Sequence, residues 1–573
     1  MSFQTGDLSR QIMWRRLTSV VEEQAQTLIR TSFSPTTREA GDLSAGVFTP
    51  DGRMIAQAVT GTPGHINSMA RSVSHFIDAI PLADWREGDV ALTNDPWQGT
   101  GHLNDLVVVT PVFRGGRVIA FFAATSHLVD IGGMGPGFDA KDVFHEGIRI
   151  PITKVVDAGR VDDKVLGILR ANVRMPEQVT GDLMSLVAGN HTGGLRLLAM
   201  CDEFGLDGVE ALSEFIFDRS MRGMREEIDR IPRGVYEAAL TLDGIDRPVA
   251  MTATMTVADG RIDVEFGGDL RPSLRGNNVP FCYTEAYASY GVRCVVGRAV
   301  PNNWSSLSAV TIRAPEGSIL NATDPAPVAS RHLIGQMLPD LVFRCLAQAV
   351  PGRVPAEGAG TLWNIRLLRS AHGRGKAGFN ALFFHSGGTG ARPGLDGLNA
   401  TAFPSGVRAI PIEISEKSAP VLYRRRELRR DSGGAGLTRG GLGQVIEVAS
   451  RDGDPFWMAA SYERTRNAPR GLDGGRDGEP GRVGLRSGLP FSPMGRQEVP
   501  GDDAIIVEPP GGAGRGDPFA RDPARVRDDV ENGFVSREAA AGEYGVMLTE
   551  NLEVDEAATA ALRSRPDRRT ASN

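Results

Sequence analysis

The chain has 573 residues, of which 41% are hydrophobic and 23% charged, and its formal net charge is −7. That length asks for about two to four cores, and the mildly acidic balance gives no general attraction to nucleic acid or an anionic membrane. The 70 glycines stand well above average usage. They fall in short clusters between apolar runs, which suits a loop-rich enzyme whose backbone closely approaches a ligand or a neighbouring chain.

Taken in order, the first residues lack a basic head followed by an apolar run, so no signal peptide is expected and the chain is assigned to the cytoplasm. Apolar residues at helical spacing predict an amphipathic helix over 9–32. A hairpin is expected around Asp51-Gly52 and a second helix over 66–79. The runs 106–113 and 118–127, joined by Arg114-Gly115-Gly116-Arg117, predict a second hairpin. Its strands are almost wholly apolar, so both faces should be covered. Helices follow over 168–172, 178–198 and 209–228, then a meander over 235–242, 250–257 and 261–266 that turns at Asp259-Gly260. Helical patterns return over 284–296 and 331–349. Beyond Ala359, short strands and glycine turns dominate to about Val507. The expected fold class is α+β and multi-domain: an N-terminal α+β region (1–231), a central α/β region (232–358) and a glycine-rich, β-rich C-terminal region (359–573).

Several chemistries are disfavoured. Cys201, Cys282, Cys294 and Cys345 stand far apart without a CxxC pair, so neither a cysteine zinc site nor a disulfide framework is expected. Cys282 and Cys294 read as buried thiols. No apolar stretch approaches the ~20 residues needed to span a bilayer. The arginines at 424–426, 429 and 430 are interrupted by Glu427, which fits a solvated or subunit-contacting edge better than a nucleic-acid surface. No P-loop, dinucleotide fingerprint or nucleophile elbow is present.

Two of the nine histidines stand in similar frames, His102-Leu103-Asn104-Asp105 and His127-Leu128-Val129-Asp130. Imidazole and carboxylate together suit a borderline or hard divalent ion such as Mn, Zn or Fe(II). On the second hairpin His102 and Asp105 precede one strand while His127 ends the other, so antiparallel pairing would bring them together. A histidine that only bonds its own aspartate has the same spacing, and spacing alone leaves both readings open. Upstream, Thr93-Asn94-Asp95-Pro96-Trp97 reads either as a capped turn or as an active-site loop. The clusters Ser386-Gly387-Gly388-Thr389-Gly390, Ser432-Gly433-Gly434-Ala435-Gly436 and Gly511-Gly512-Ala513-Gly514 read as tight turns or as backbone N–H cradles for an anion.

Taken together, these stretches resemble the hydantoinase B/oxoprolinase family. The resemblance is carried by Thr93-Asn94-Asp95-Pro96, His102 through Asp105, His127-x-x-Asp130-Ile131-Gly132-Gly133 and Glu146-Gly147-x-Arg149-Ile150-Pro151. It continues, in order, through Asn172-Val173-Arg174-x-Pro176-Glu177-Gln178, Arg429-x-Asp431-Ser432-Gly433-Gly434 and Pro510-Gly511-Gly512-Ala513-Gly514. Such a resemblance implies one subunit of an ATP-dependent enzyme, of the kind that includes N-methylhydantoinase, 5-oxoprolinase, lactam-opening hydrolases and acetone or acetophenone carboxylases. It implies a hydantoinase A-type partner that binds ATP and phosphorylates a small-molecule substrate, hence a hetero-oligomer.

The resemblance also implies a divalent metal, manganese in acetone carboxylase, on residues matching His102, Asp105 and His127. An upstream acid would complete the set, Glu39 first and Asp42 second within Arg38-Glu39-Ala40-Gly41-Asp42-Leu43-Ser44. Family members usually carry a histidine or tryptophan where this chain has Leu128, a departure that bears on substrate contacts. In the expected mechanism a metal-activated water attacks the phosphorylated ring. Asp130 or Asp95 orients or deprotonates that water, and Gly387, Gly388, Gly433 and Gly434 hold the phosphate. The competing readings are a ketone carboxylase subunit and a non-catalytic scaffold for the kinase subunit.

Overall fold

The computed structural model describes residues 6–135, 137–369 and 378–564, and their contacts group the chain into two units. The first comprises Met1–Leu240, Ala250–Ala349 and Ser405–Ile410. It opens with helices α1 (Asp7–Thr31) and α2 (Pro35–Arg38) and the hairpin β1 (Leu43–Phe48) and β2 (Met54–Gln57). Helix α3 (Pro63–Ala79) leads to β3 (Val90–Thr93), β4 (Asp105–Arg114) and β5 (Arg117–His127). Strands β6 (Thr153–Asp157) and β7 (Arg160–Val161) and helices α4 (Asp163–Asn172), α5 (Pro176–Phe204) and α6 (Glu210–Asp229) follow. The strands form one seven-stranded sheet in the order β2-β1-β5-β4-β3-β6-β7, antiparallel at each pairing.

The long apolar runs within β4 and β5 follow from two cores. Leu106, Val108, Val112, Phe122 and Ala124 face α1 and α5. Val107, Val109, Phe121 and Ala123 face Ile66, Met69, Val73 and Phe76 of α3. A strand covered on both faces has no position at which a polar residue is favoured. Gly193 of α5 allows the closest approach, since a Cβ there would lie 2.5 Å from the Phe122 ring.

A second sheet in this unit joins β8 (Gly234–Leu242), β9 (Val249–Ala258), β10 (Arg261–Gly268) and β11 (Val310–Arg313) in the order β11-β10-β9-β8. Along β9, Met251, Ala253, Met255 and Val257 are buried while the intervening positions are not, the alternation of a sheet covered on one face. The unit also contains α7 (Phe281–Val295), α8 (Trp304–Leu307), α9 (His332–Gly335) and α10 (Leu338–Ala349). The helical pattern expected over 331–349 is thus broken into two helices. Among the described residues no helix is long and apolar enough to cross a membrane. The four cysteines are free, and Cys294 is only partly buried where full burial was expected.

The second unit comprises Thr241–Val249, Val350–Pro404 and Pro411–Asn573. One of its sheets runs in the order β13-β12-β16-β18, from β12 (Ile365–Arg369), β13 (Phe379–Phe383), β16 (Phe456–Ser461) and β18 (Met494–Val499). The other runs β14-β15-β19-β17, from β14 (Val421–Leu428), β15 (Gln444–Ser450), β17 (Arg482–Leu485) and β19 (Ala504–Glu508). Both contribute to one core, with Leu367, Phe383 and Met458 from the first and Ile446, Val448 and Ile505 from the second, as in a sandwich. The β-rich expectation passes over α11 (Ile412–Ser418) and the tail helices α12 (Pro523–Glu531), α13 (Arg537–Tyr544) and α14 (Glu556–Arg563). These are short and rich in charged or small residues, so their apolar stripes are too narrow to read. The molecule is α+β.

Candidate metal centre

The β4–β5 ladder pairs Asp105 directly with His127. Its register is set by the Gly115-Gly116 turn, where both residues have positive φ, the conformation of a two-residue hairpin loop. His102 comes from the loop before β4. There Gly101 has φ +100°, and a Cβ would lie 2.7 Å from the Arg331 side chain, so only glycine lets that loop pass. On the other side of β5, the His127 N–H donates to the Asp42 carbonyl at 3.2 Å. The first turn of α3, entered through Pro63, brings His65 to the same place.

Asp105 is fully buried, and its two oxygens have separate tasks. Oδ1 lies 2.7 Å from His102 Nε2 and 3.0 Å from His127 Nδ1. Oδ2 receives the Arg331 guanidinium at 2.6 Å and the Thr100 hydroxyl at 2.7 Å, and lies 3.0 Å from His65 Nε2. Arg331 also donates to the Thr100 carbonyl at 2.9 Å and stacks 4.0 Å from the centre of the Tyr283 ring. Among the described residues, His102, Asp105 and His127 form the group whose ligand atoms all fall within 4.8 Å of one another.

The protonation states test whether this donor set suits a cation. Burial alone would raise the Asp105 carboxyl, but His102, His65 and Arg331 hold it well below the usual carboxylate range. It is therefore an acceptor only. His102 Nδ1 lies 3.1 Å from the Ala329 carbonyl, which can only accept, so Nδ1 carries the proton. Burial and the Arg331 charge push the imidazole down, and its contact with Asp105 opposes them; with Nδ1 committed to Ala329, Nε2 is the nitrogen turned to Asp105 Oδ1. His102 Nε2 and Asp105 Oδ1, 2.7 Å apart, are spaced to share a proton or to serve as adjacent ligand atoms of one cation. His127 Nε2 is buried without a hydrogen-bond partner. The residues fit a divalent ion. His65 behaves differently: burial would lower it, but Asp105 and Asp42 outweigh burial and raise it.

The other expected residues fall as follows. Asp42 is buried, with Oδ1 3.6 Å from His65 Nδ1, so it stands beside the cluster. Glu39 closes α2 and pairs with the neighbouring Arg38 at 2.9 Å. Asp95 caps its own turn, accepting the Trp97 and Gln98 N–H groups, and takes Arg149 Nε at 2.6 Å. Asp130 accepts the N–H groups of Gly132 and Arg174 and the Arg174 guanidinium. Both aspartates are thus held in ion pairs.

The four glycines belong to the second unit. Gly388 donates its N–H to the Pro510 carbonyl and Gly434 to the Gly512 carbonyl. A Cβ at Gly387, Gly388, Gly433 or Gly434 would meet a backbone oxygen at 2.3, 1.8, 2.2 or 2.2 Å. Glycine segments stack on one another here, and that contact, not an anion, takes up the amides of Gly388 and Gly434.

Three residues of the site were not singled out from the sequence. Thr100 lies in a turn with no distinguishing pattern. His65 sits at the start of α3, where Thr62-Pro63 marks a helix entry and hides its role. Arg331 lies 226 residues from Asp105, and no local spacing connects them.

The fold resembles a nucleotide-free acetone carboxylase, with a TM-score of 0.85 at 22% identity over 100% of this chain and 85% of that one. It also resembles an ATP-dependent caprolactamase from Pseudomonas jessenii, with a TM-score of 0.87 at 28% identity over 98% of this chain and 100% of that one. In sequence it is 30% identical to the B-type subunit of a putative D-/L-hydantoinase of Pseudomonas sp. (strain NS671), over 96% of this chain and 97% of the relative. The beta subunit of the Pseudomonas jessenii caprolactamase is likewise 30% identical, over 96% and 97%. The hydantoinase B/oxoprolinase family pattern matches residues 7–518, and the chain belongs to that family.

Proposed function

We propose that the chain is the metal-binding catalytic subunit of a cytoplasmic, ATP-dependent cyclic amide hydrolase. It opens a hydantoin or lactam after a hydantoinase A-type partner has used ATP to phosphorylate the ring carbonyl oxygen. The observation that carries this reading is the buried Asp105, whose Oδ1 faces His102 and His127. Full-length similarity to a hydantoinase B-type chain and to the beta chain of a caprolactamase supports it.

His102, Asp105 and His127 would hold the ion, with Asp42, whose Oδ1 lies 3.6 Å from His65 Nδ1, as a further acid. A divalent ion bound there supplies Lewis acidity and makes hydroxide accessible near neutral pH. Arg331 and Thr100 fix Asp105 through Oδ2, leaving Oδ1 turned to the histidines; such outer partners set the ligand geometry. The proton on His102 Nδ1 is held by the Ala329 carbonyl, which keeps Nε2 free to ligate. Asp95 and Asp130, each paired with an arginine, suit orientation of substrate or water more than proton acceptance. In the reaction, water adds to the activated ring carbon, and the C–N bond breaks as its electron pair and a proton go to nitrogen. A second water then releases phosphate from the acyl phosphate.

The test uses the complex purified with its partner, ATP and a panel of hydantoins and lactams. The ring-opened product, an amino acid from a lactam or an N-carbamoyl amino acid from a hydantoin, should form in step with ADP. His102→Ala and His127→Ala should abolish turnover while the complex still assembles. Incorporation of labelled bicarbonate in place of ring opening would establish the carboxylase reading instead, and full turnover in both variants would leave a scaffold.

A further inference from the structure

We propose that Glu146 is a positioning residue for the metal centre: its buried carboxyl pins the 328–331 segment, which in turn aims His102 and Asp105. The inference rests on the metal-site reading above and adds a residue to it.

Glu146 follows the short turn Val143–His145, itself capped by Asp142. Its Oε1 accepts the Val328 N–H at 2.6 Å and the Ala329 N–H at 2.8 Å. These bonds fix the two peptide planes just before the Ala329 carbonyl, the group that holds His102 Nδ1 at 3.1 Å. Two residues later, Arg331 reaches Asp105 Oδ2 at 2.6 Å. One carboxyl oxygen thereby governs a segment that orients two of the three candidate ligands.

The loop that carries Glu146 is anchored in turn to the chain leaving β5 just beyond His127. Ile148 N–H donates to the Ile131 carbonyl and Met134 N–H to the His145 carbonyl, each at 2.9 Å. Gly133 makes the approach possible, since a Cβ there would lie 2.5 Å from the Glu146 backbone carbon. Glu146 therefore ties the strand end bearing His127 to the segment that steers His102 and Asp105.

Its own chemistry agrees. Oε2 is buried and has no hydrogen-bond partner among the described residues. Burial pushes the carboxyl up to about 8 despite its two amide donors and the nearby Arg331. Burial thus favours its uncharged form, and its part is that of a shaped acceptor for the two N–H groups. Partners that orient metal ligands typically set affinity by about 10- to 100-fold.

The experiment is chelator competition with Mn(II) and with Zn(II) on the purified complex. Glu146→Ala should weaken affinity by about 10- to 100-fold, whereas Glu146→Gln, which keeps the neutral acceptor oxygen, should stay near wild type. Wild-type affinity in Glu146→Ala overturns the inference. So does a large loss in folded Glu146→Gln, because charge would then be what matters; this arm decides the matter if the alanine variant does not fold. His102→Ala runs in parallel. Metal lost there but held in Glu146→Ala sinks this inference alone, while metal held in both sinks the site reading beneath it.

Discussion

Asp105 and Arg331, 226 residues apart in sequence, form a buried ion pair at 2.6 Å, with relative side-chain exposures of 0% and 2%. The pair is not an isolated bridge. Arg331 is also held by the Thr100 carbonyl and the face of Tyr283. Breaking a buried pair by removing one partner costs about 3–5 kcal/mol. Arg331→Met should therefore lower the denaturant midpoint sharply and weaken metal retention. Arg331→Lys should fall between, because an ammonium cannot supply the second, planar contact. An Arg331→Met protein with wild-type stability and metal content would show that Asp105 does not depend on this partner.

The acid that completes the ligand set can be decided by two substitutions. Asp42 stands beside His65, and its carbonyl bonds to His127 N–H, whereas Glu39 is engaged by Arg38. Asp42→Asn should reduce metal affinity by about 10-fold or more, the scale seen for ligands and their immediate partners. Glu39→Gln should leave it unchanged. Titration of the apo complex with Mn(II) measures both, and the reverse ranking would return Glu39 to the site.

The part of the site that could be read from the chain is the part built by a hairpin. Two apolar runs around a Gly-Gly turn determine a register, and a register places Asp105 opposite His127. His65 and Arg331 reach the same carboxylate through tertiary packing, and no period or spacing in the sequence encodes that approach. The glycine clusters show a different limit. Composition reveals that backbone must come close to something, but a ligand and a second glycine segment demand the same residue. In the structure the partner of Gly388 and Gly434 is backbone.

That packing predicts a loss of folding where anion binding would predict a loss of affinity. A Cβ at Gly388 would lie 1.8 Å from the Gly441 carbonyl oxygen, while at Gly484 nothing lies within 4 Å. Overpacking costs typically about 1–3 kcal/mol even where side chains can give way, and here the obstacle is backbone. Gly388→Ala should thus reduce soluble yield and thermal midpoint, with Gly484→Ala close to wild type. If Gly388→Ala folds normally and only raises the KM for ATP-dependent turnover, the phosphate role regains its place.

Glu463 gives a pH signature that belongs to the second unit. It is fully buried and accepts the Asp243 and Gly244 N–H groups at 2.8 and 2.9 Å. Burial first, and the Asp243 charge second, push its carboxyl up to about 8 from an ordinary 4.5. The folded state therefore binds a proton that the unfolded state releases between those values. The associated stability is complete below about pH 4.5, declines as pH rises, and is gone above about pH 8. Glu463→Gln is neutral at every pH and forfeits this dependence, though it gives up one carboxyl acceptor at a fixed cost. The wild-type thermal midpoint should then fall relative to that of Glu463→Gln across this window and run parallel to it above. A difference that stays flat from about pH 5 to about pH 8 would mean that Glu463 is ionised throughout.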